Sequence, residues 1–184
     1  KQGRSAFDVV LYEHFSGFLP NPASRWCTRM LKILPYERHI GSARAYSYIA
    51  IRADENRQGY VGGGKPVLLS EEPNIVPVYP FKDDGVLIAD VQQILDDSGL
   101  GLPAYYEWRS RSGCYFCFYQ QVAEWQGLME RHPVLYEKAK AYEQGQNGRK
   151  FSWVQGRTLE EIEKLPRRKV KQKSDEEGCA ICHL

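Results

Sequence analysis

The chain has 184 residues, of which 42% are hydrophobic and 26% charged, and 25 basic against 23 acidic residues leave a formal net charge of +2. This balance predicts a globular domain with a real core, and the global charge does not indicate a nucleic-acid binder. No apolar run is long enough to span a membrane, and no signal peptide is visible. The five cysteines therefore indicate metal or redox chemistry in a reducing, cytoplasmic compartment rather than a disulfide scaffold.

Two helices are predicted before Pro35. Asp8 is a candidate cap for the first, over residues 9–15. Ser24 is the candidate cap of the second, whose apolar residues recur with helical spacing as far as the break expected before Pro35. Cys27 lies on the apolar face of this second helix, so it is either a core residue or a ligand that the helix presents.

A buried strand is predicted over residues 46–51, which are rich in β-branched and aromatic side chains. The charged stretch Arg52–Arg57 follows it. This stretch is either a binding loop beyond the carboxyl end of a strand in an open α/β sheet, or a solvated loop. Residues 76–81 contain two prolines and are at best an edge strand, and a helix is predicted over 88–97.

The stretch Gly113-Cys114-Tyr115-Phe116-Cys117 carries the strongest chemical signal. Two thiols three positions apart can reach one metal ion or cluster. Arg109 and Arg111 precede them, and cationic neighbours stabilise the thiolate, which is the form that binds metal. Aromatic residues on both sides would shield such a site from water. A lone CxxC also occurs as two packed thiols without a ligand. The positions of the other cysteines therefore determine how strongly this pair indicates a metal site.

Three helices are predicted after this pair, over 122–129, over 133–143 and from a capping box at Thr158 to Leu165. Together with the cysteine pair they make residues 103–165 a helical region. The part of the chain before it, residues 1–102, is predicted to be the α/β part.

Residues 166–184 are predicted to be a tether with a cysteine-containing tail. The tether holds the basic run Arg167–Lys173 and then an acidic run. The tail holds a second pair, Cys179 and Cys182, which is separated from Cys117 by 61 residues. That gap is loose for a zinc ribbon, whose pairs usually stand about 15 to 20 residues apart. Four thiolates hold either zinc or a [4Fe–4S] cluster, and the ligand type alone does not decide between them.

Three stretches in order resemble the phosphoadenosine-phosphosulfate reductase family of the PP-loop, or adenine-nucleotide α-hydrolase, superfamily: Arg25–Thr28, Ile51–Arg57 and Gly113–Cys117. The iron–sulfur branch of that family includes adenylylsulfate reductases and the ATP-pyrophosphatase-like enzymes of DNA sulfur modification. It places a cysteine after an arginine and a CxxC far downstream; here Cys114 follows Cys27 by 87 positions. The resemblance covers residues 15–145 and implies an α/β fold, the C-terminal part of a PP-loop domain followed by a helical cluster-binding region.

The resemblance implies a [4Fe–4S] cluster held by Cys27, Cys114 and Cys117. Trp26 stands where adenylylsulfate reductases have a further cysteine, which leaves the fourth ligand open. Two roles are open for the tail: a tail cysteine, with Cys179 as the candidate, attacks the substrate sulfur as the catalytic nucleophile, or the tail folds back and Cys182 supplies the fourth ligand. The remaining alternative is a tail with two idle thiols.

The resemblance also implies an adenylated substrate, either ATP or a sulfonucleotide, with magnesium. Its phosphate or sulfate oxygens would be neutralised by four arginines: Arg52, Arg57, Arg109 and Arg111. Glu55 would have a catalytic role by orienting one of these arginines or the magnesium ion. The nucleotide loop of the family, SGGxDS, does not occur in the sequence. We therefore expect the chain to be the C-terminal half of such a protein and to need an N-terminal PP-loop half or a partner chain.

The function implied is iron–sulfur-dependent sulfur chemistry on an adenylated substrate. The chain would act as a sulfonucleotide reductase or as a sulfurtransferase of DNA sulfur modification. In the second case the run Arg167–Lys173 would contact DNA phosphates. The alternative is a zinc-stapled interaction module with four cysteine ligands and no catalytic activity.

Overall fold

The computed structural model describes residues 3–55, 70, 72–145 and 150–171. They form a mixed α/β structure of short helices and a two-stranded parallel sheet. The elements in chain order are α1 (Ala6–His14), α2 (Trp26–Thr28), a π-helix (Arg29–Ile33), α3 (Leu34–Ile40), β1 (Ala45–Tyr48), β2 (Ile75–Val78), α4 (Pro80–Asp83), α5 (Ile88–Asp97), a 3₁₀-helix (Ala104–Glu107), α6 (Val122–Arg131), α7 (Pro133–Glu143) and α8 (Leu159–Glu163).

The chain divides into two compact units that do not follow the predicted boundary at residue 102. The first unit joins Lys1–Lys32 to Trp108–Lys171, and the second is built on Ile33–Glu107. The N-terminal segment that carries Cys27 therefore belongs with the helical region. Packing of rings explains the grouping, because the ring of Phe7 in α1 lies 4.4 Å from the ring of Phe116.

Helix α1 begins three residues before the prediction because Ser5, rather than Asp8, is its N-cap. The hydroxyl oxygen of Ser5 accepts the Asp8 N–H at 3.1 Å, and the Asp8 carboxylate accepts the Ser5 N–H at 2.7 Å. Asp8 is thus the third residue of a capping box, in which each side chain satisfies the other residue's backbone donor.

The helix that carries Cys27 does not stop before Pro35, so that prediction is wrong. The helical path continues from α2 through the π-helix into α3, and Pro35 lies in the first turn of α3. Proline has no N–H to bond to a carbonyl of the preceding turn, and the helix changes here from the π to the α form. Short π-helical segments within longer helices are also often found at functional sites.

The sheet lies in the second unit and pairs β1 with β2 in parallel, with Ala45 opposite Ile75 and Tyr48 opposite Val78. Strand β1 ends at Tyr48 and is therefore shorter than the strand predicted over 46–51. Its partner, β2, overlaps the edge strand predicted over 76–81. The buried core beside the sheet consists of four residues, Ile33, Ile49, Ile51 and Tyr79.

Three helices agree with the sequence analysis. Helices α5 and α7 have the predicted bounds, and α8 begins after the capping box at Thr158, whose hydroxyl accepts the Glu161 N–H at 3.3 Å. Helix α6 extends two residues beyond the prediction. Of the helices in the described part of the chain, none combines the length and the apolar character needed to cross a membrane.

Residues Leu165–Lys171, which we call the basic strap, lie along α6. Their backbone is hydrogen-bonded to the side chains of Gln121 and Gln126. The predicted exposed tether is therefore folded onto the first unit as far as residue 171, and its remainder lies outside the described residues.

Candidate functional site

Phe7 links the two cysteine-bearing segments of the first unit. Its ring centroid lies 5.3 Å from that of Trp26, next to Cys27, and 4.4 Å from that of Phe116, between the two cysteines of the CxxC. Phe116 also packs on Trp153 at 5.5 Å. A shared aromatic core thus brings together two segments that are far apart in sequence, and large rings of this kind contribute strongly to packing.

The CxxC stretch forms a tight turn. The Cys117 N–H donates to the Cys114 carbonyl at 3.2 Å, and the Gln120 side-chain amide donates to the Tyr115 carbonyl at 2.7 Å. Cys114 is exposed and Cys117 is partly buried, and both are free thiols. One thiol of the pair therefore faces solvent while the other faces the protein.

Helix α6 fixes the segment that leads into this turn. The carboxylate of Glu124, which is fully buried, accepts the Ser110 N–H at 2.7 Å and the Ser110 hydroxyl at 2.8 Å. Gly127 leaves room for Trp108, since a Cβ at position 127 would lie 2.7 Å from Cε3 of the indole. The absence of a side chain at Gly127 thus allows the close approach of the indole to the helix.

The three thiols of the first unit influence one another electrostatically. Burial raises the pKa of Cys27, and negative charge on Cys117 and Cys114 raises it further, while a hydrogen bond with Thr28 acts in the opposite direction. Burial also raises the pKa of Cys117, against the opposing effect of the Arg111 and Arg109 guanidinium groups. Burial is therefore the main cause of the raised pKa of both Cys27 and Cys117.

Arg111 is in contact with one of these thiols. Its Nη2 lies 3.4 Å from the Cys117 sulfur, and its guanidinium carbon lies 4.9 Å from the ring centroid of Tyr119. The side chain is buried, with an exposed fraction of 9%, and its Nε and Nη1 atoms have no hydrogen-bond partner among the described residues. Buried donors of this kind favour an anionic acceptor close by.

Arg109 has a different role from Arg111. Its Nη1 and Nη2 donate to the carbonyls of Gly113 and Cys114, at 3.2 and 3.3 Å. Its guanidinium also stacks over Trp108, 5.6 Å from the centroid of the indole. Arg109 thus closes the turn of the CxxC while it places positive charge beside the thiols.

The second unit holds Arg52 and Glu55, which were both predicted to belong to the nucleotide site. Arg52 donates through Nη1 to Glu55 at 2.7 Å and through Nε to Asp54 at 2.9 Å. Glu55 has an exposed fraction of 4%, and its backbone carbonyl accepts the Lys82 ammonium at 2.8 Å. Arg52 is therefore held by a buried carboxylate at the end of the strand region.

Three other predicted residues, Arg57, Cys179 and Cys182, lie outside the described residues. Within residues 3–55, 70, 72–145 and 150–171, no three cysteine, histidine or acidic side chains are grouped as a ready metal-ion site.

Sequence reasoning missed the residues that support the thiols. Phe7 and Gly127 carry no motif, because their importance comes from contacts with residues more than 15 positions away. The sequence does contain one indication of the role of Glu124. It lies three residues after Gln121, and its carboxylate accepts the Gln121 N–H at 2.7 Å, as the third residue of a capping box does.

Comparisons of the chain with models of protein families, with curated proteins and with solved structures found no match. The geometry of the first unit is therefore the basis on which a function is proposed.

Proposed function

We propose that the chain holds a [4Fe–4S] cluster on Cys27, Cys114 and Cys117 and takes part in iron–sulfur-dependent sulfur chemistry on an adenylated substrate. The observation that carries the proposal is that the ring of Phe7 joins two remote cysteine-bearing segments, with the buried guanidinium of Arg111 3.4 Å from the Cys117 sulfur. Thiolates are the usual ligands of iron–sulfur clusters, and positive neighbours favour the thiolate form.

The residues present fit such a group. Three soft sulfur donors lie on segments that the ring of Phe7 joins, and the buried Nε and Nη1 of Arg111 lack partners among the described residues. Hydrogen bonds from the protein to cluster sulfur are one of the ways in which proteins tune the reduction potential of a cluster. Arg111 is therefore placed to donate to sulfur of a bound cluster or to an oxyanion beside it.

When bound, the cluster would supply electrons or sulfide. The chain itself would supply three things. The thiols would hold the cluster, Arg109 and Arg111 would offset its negative charge, and the rings of Phe7, Trp26 and Phe116 would limit the access of water on the protein side. In this proposal Cys182 is the fourth ligand. With a sulfonucleotide as substrate, the thiolate of Cys179 would form a bond to the substrate sulfur while the bond from that sulfur to the phosphate oxygen breaks, and the nucleotide would leave as its phosphate.

The nucleotide would be bound in part by the second unit. Arg52 is held by Glu55 in one orientation, and a guanidinium fixed in this way loses little entropy when it binds a phosphate or sulfate group. Arg57 would add a second charge, and magnesium would accompany the phosphates.

The sheet of the second unit supports the proposal of an N-terminal PP-loop half or a partner chain. Parallel sheets are normally covered on both faces. Here Tyr46 and Tyr48 of β1 have exposed fractions of 57% and 68%. An additional α/β half would supply both the missing cover and the nucleotide loop. We place this assembly in the cytoplasm, where thiols stay reduced.

Anaerobic reconstitution with iron and sulfide tests the cluster. We expect a brown protein with about four iron atoms per chain and an electron paramagnetic resonance signal on reduction. A colourless protein that instead takes up one equivalent of zinc would support the alternative, a zinc-stapled module. Cys182→Ser should lower the iron content if Cys182 is the fourth ligand, while Cys179→Ser should keep the iron and lose turnover.

Titration calorimetry with ATP and magnesium, or with a sulfonucleotide, tests the substrate class on the chain supplied with a PP-loop half. Arg52→Ala should weaken binding by about 1.5 to 3 kcal/mol, the value of a charge-assisted hydrogen bond. Arg44→Ala is the matched control, because Arg44 is an exposed arginine of the same unit. Equal affinities for the two variants would remove Arg52 from the nucleotide site.

A further inference from the structure

The basic strap is held against α6 by two side-chain amides. Gln126, which has an exposed fraction of 2%, donates through Nε2 to the carbonyls of Leu165 and Pro166, at 3.2 and 3.1 Å, and accepts the Arg168 N–H at 2.9 Å. Gln121 accepts the Lys171 N–H at 3.1 Å and donates to the Lys171 carbonyl at 2.7 Å. Both ends of the strap are therefore fixed.

The side chains of the strap fall into two groups. Arg167 is used within the fold, since it donates to the Ala123 carbonyl at 2.8 Å and pairs with Glu130 at 3.1 Å. Arg168, Lys169 and Lys171 are exposed, and the structure gives their charged groups no ion pair among the described residues. The strap thus presents three positive charges to solvent on a backbone that is already ordered.

We propose that the strap is a docking surface for the phosphate backbone of a nucleic acid. Its anchors, Gln121 and Gln126, stand five positions apart, which is about 7.5 Å along α6. Each strand of a duplex carries one phosphate charge per about 3.4 Å of its axis, so about two phosphates of one strand face this length. The three exposed cations of the strap are enough to contact both. Because the backbone is ordered beforehand, less entropy is lost on binding.

The composition of the strap favours a nucleic acid over a lipid surface. Membrane-surface segments combine basic residues with large apolar side chains that enter the bilayer. The apolar residues of the strap, Leu165 and Val170, are partly buried rather than exposed. The surface it presents is therefore made of charge alone, which suits a phosphate backbone. This binding does not depend on the cluster, so failure of either proposal leaves the other untouched.

Fluorescence anisotropy with the whole chain and a short labelled DNA duplex, measured over a range of salt concentrations, tests the proposal. The test variant is the triple substitution Arg168→Gln, Lys169→Gln and Lys171→Gln. The matched control loses the same charge at three other exposed residues, through Arg38→Gln, Lys138→Gln and Arg157→Gln.

We expect the test variant to bind about tenfold or more weakly at low salt. We also expect the slope of log K against log salt to fall in magnitude by about 2 to 3, because each phosphate contact contributes about 0.9. The control should keep the wild-type slope. Equal losses in both variants, or no binding by the wild-type chain, would overturn the proposal, as would tight binding to phosphatidylserine vesicles in place of DNA.

A second variant, Gln126→Met, removes the anchor without changing any charge. We expect faster hydrogen exchange at the Arg168 and Lys171 amides and a several-fold loss of DNA affinity. Faster exchange with unchanged affinity would show that the ordered strap is not the docking surface.

Discussion

The two units of the chain differ in how completely their hydrophobic side chains are buried. In the first, several large side chains are almost completely enclosed: Trp125, Leu11, Tyr136, Leu128, Leu159 and Ile162 each have exposed fractions of 1% or less. In the second, the hydrophobic cluster beside the sheet has four buried members, and α5 has no buried residue. Among the described residues, the core of the first unit is therefore the more completely enclosed of the two.

This difference indicates how the candidate site is divided. The segments of the thiols and their arginines depend on the ring core of the first unit, which is made of Phe7, Trp26, Phe116 and Trp153. All four rings belong to the described residues. Arg52 and Glu55 lie in the second unit, whose open sheet we propose to be completed by a further α/β half. We therefore expect metal binding to survive in this chain alone and nucleotide binding to need the additional half.

Removal of Phe7 should have the largest effect on stability. Phe7 is buried and contacts the rings of Trp26 and Phe116, so Phe7→Ala should cost about 3 to 5 kcal/mol of unfolding free energy. Denaturant unfolding followed by tryptophan fluorescence measures this cost. A loss below about 1 kcal/mol, as expected for an exposed position, would mean that the ring core does not unite the two cysteine segments.

The substitution Gly127→Ala tests the contact between α6 and Trp108. Alanine in a helix is normally more stable than glycine by about 1 kcal/mol. Here the new methyl group would meet the indole, and overpacking should destabilise the chain by about 1 to 3 kcal/mol. The double variant with Trp108→Leu should recover part of the loss. A net gain in stability for Gly127→Ala alone would contradict the described contact.

The hydrogen bond from Tyr142 to Asp8, at 2.7 Å, should have a smaller and pH-dependent effect. Burial acts to raise the pKa of Asp8, but hydrogen bonds from Ser5 and Tyr142 outweigh it and hold the pKa below its usual value. The resulting stabilisation is present above the unfolded-state pKa and is lost as the pH falls through the lower folded-state pKa.

The variant Tyr142→Phe should therefore cost about 0.5 to 1.5 kcal/mol at neutral pH and less in acid. Urea unfolding at neutral and acidic pH measures both values. A cost that grew as the pH fell would show that Asp8 does not supply the acceptor.

The smallest effect is expected on α5. Ile94 has an exposed fraction of 58%, so Ile94→Ser should change stability by less than about 0.5 kcal/mol in this chain alone. Leu128→Ala in α6, at a residue with an exposed fraction of 1%, should cost about 2 to 5 kcal/mol. Similar losses of unfolding free energy in the two variants would contradict the difference in burial between the two units.

Local signals in the sequence were sufficient for several elements. The apolar spacing of 88–97 and the capping box at Thr158 give helices whose determinants lie within a few residues. The CxxC and the arginines before it could likewise be recognised as a candidate site. What these residues bind and catalyse stays a prediction.

Other features depend on contacts that no local pattern records. The strap could not be distinguished from a tether, because the amides that hold it belong to Gln121 and Gln126, about 40 to 50 positions earlier. Pro35 indicated a helix end, but the π-helix before it lets the helical path continue. The approach of the segment that carries Cys27 to the segment of the CxxC likewise depends on Phe7.

The most direct test of the central claim is the iron and sulfide content of Cys27→Ser after anaerobic reconstitution, compared with Cys114→Ser and Cys117→Ser. If the three thiols hold one cluster, loss of Cys27 should leave it labile and should lower iron and sulfide as much as loss of either CxxC thiol. Full iron and sulfide in Cys27→Ser, with loss in the other two variants, would show that Cys27 is a core residue and that the CxxC thiols hold the cluster without it.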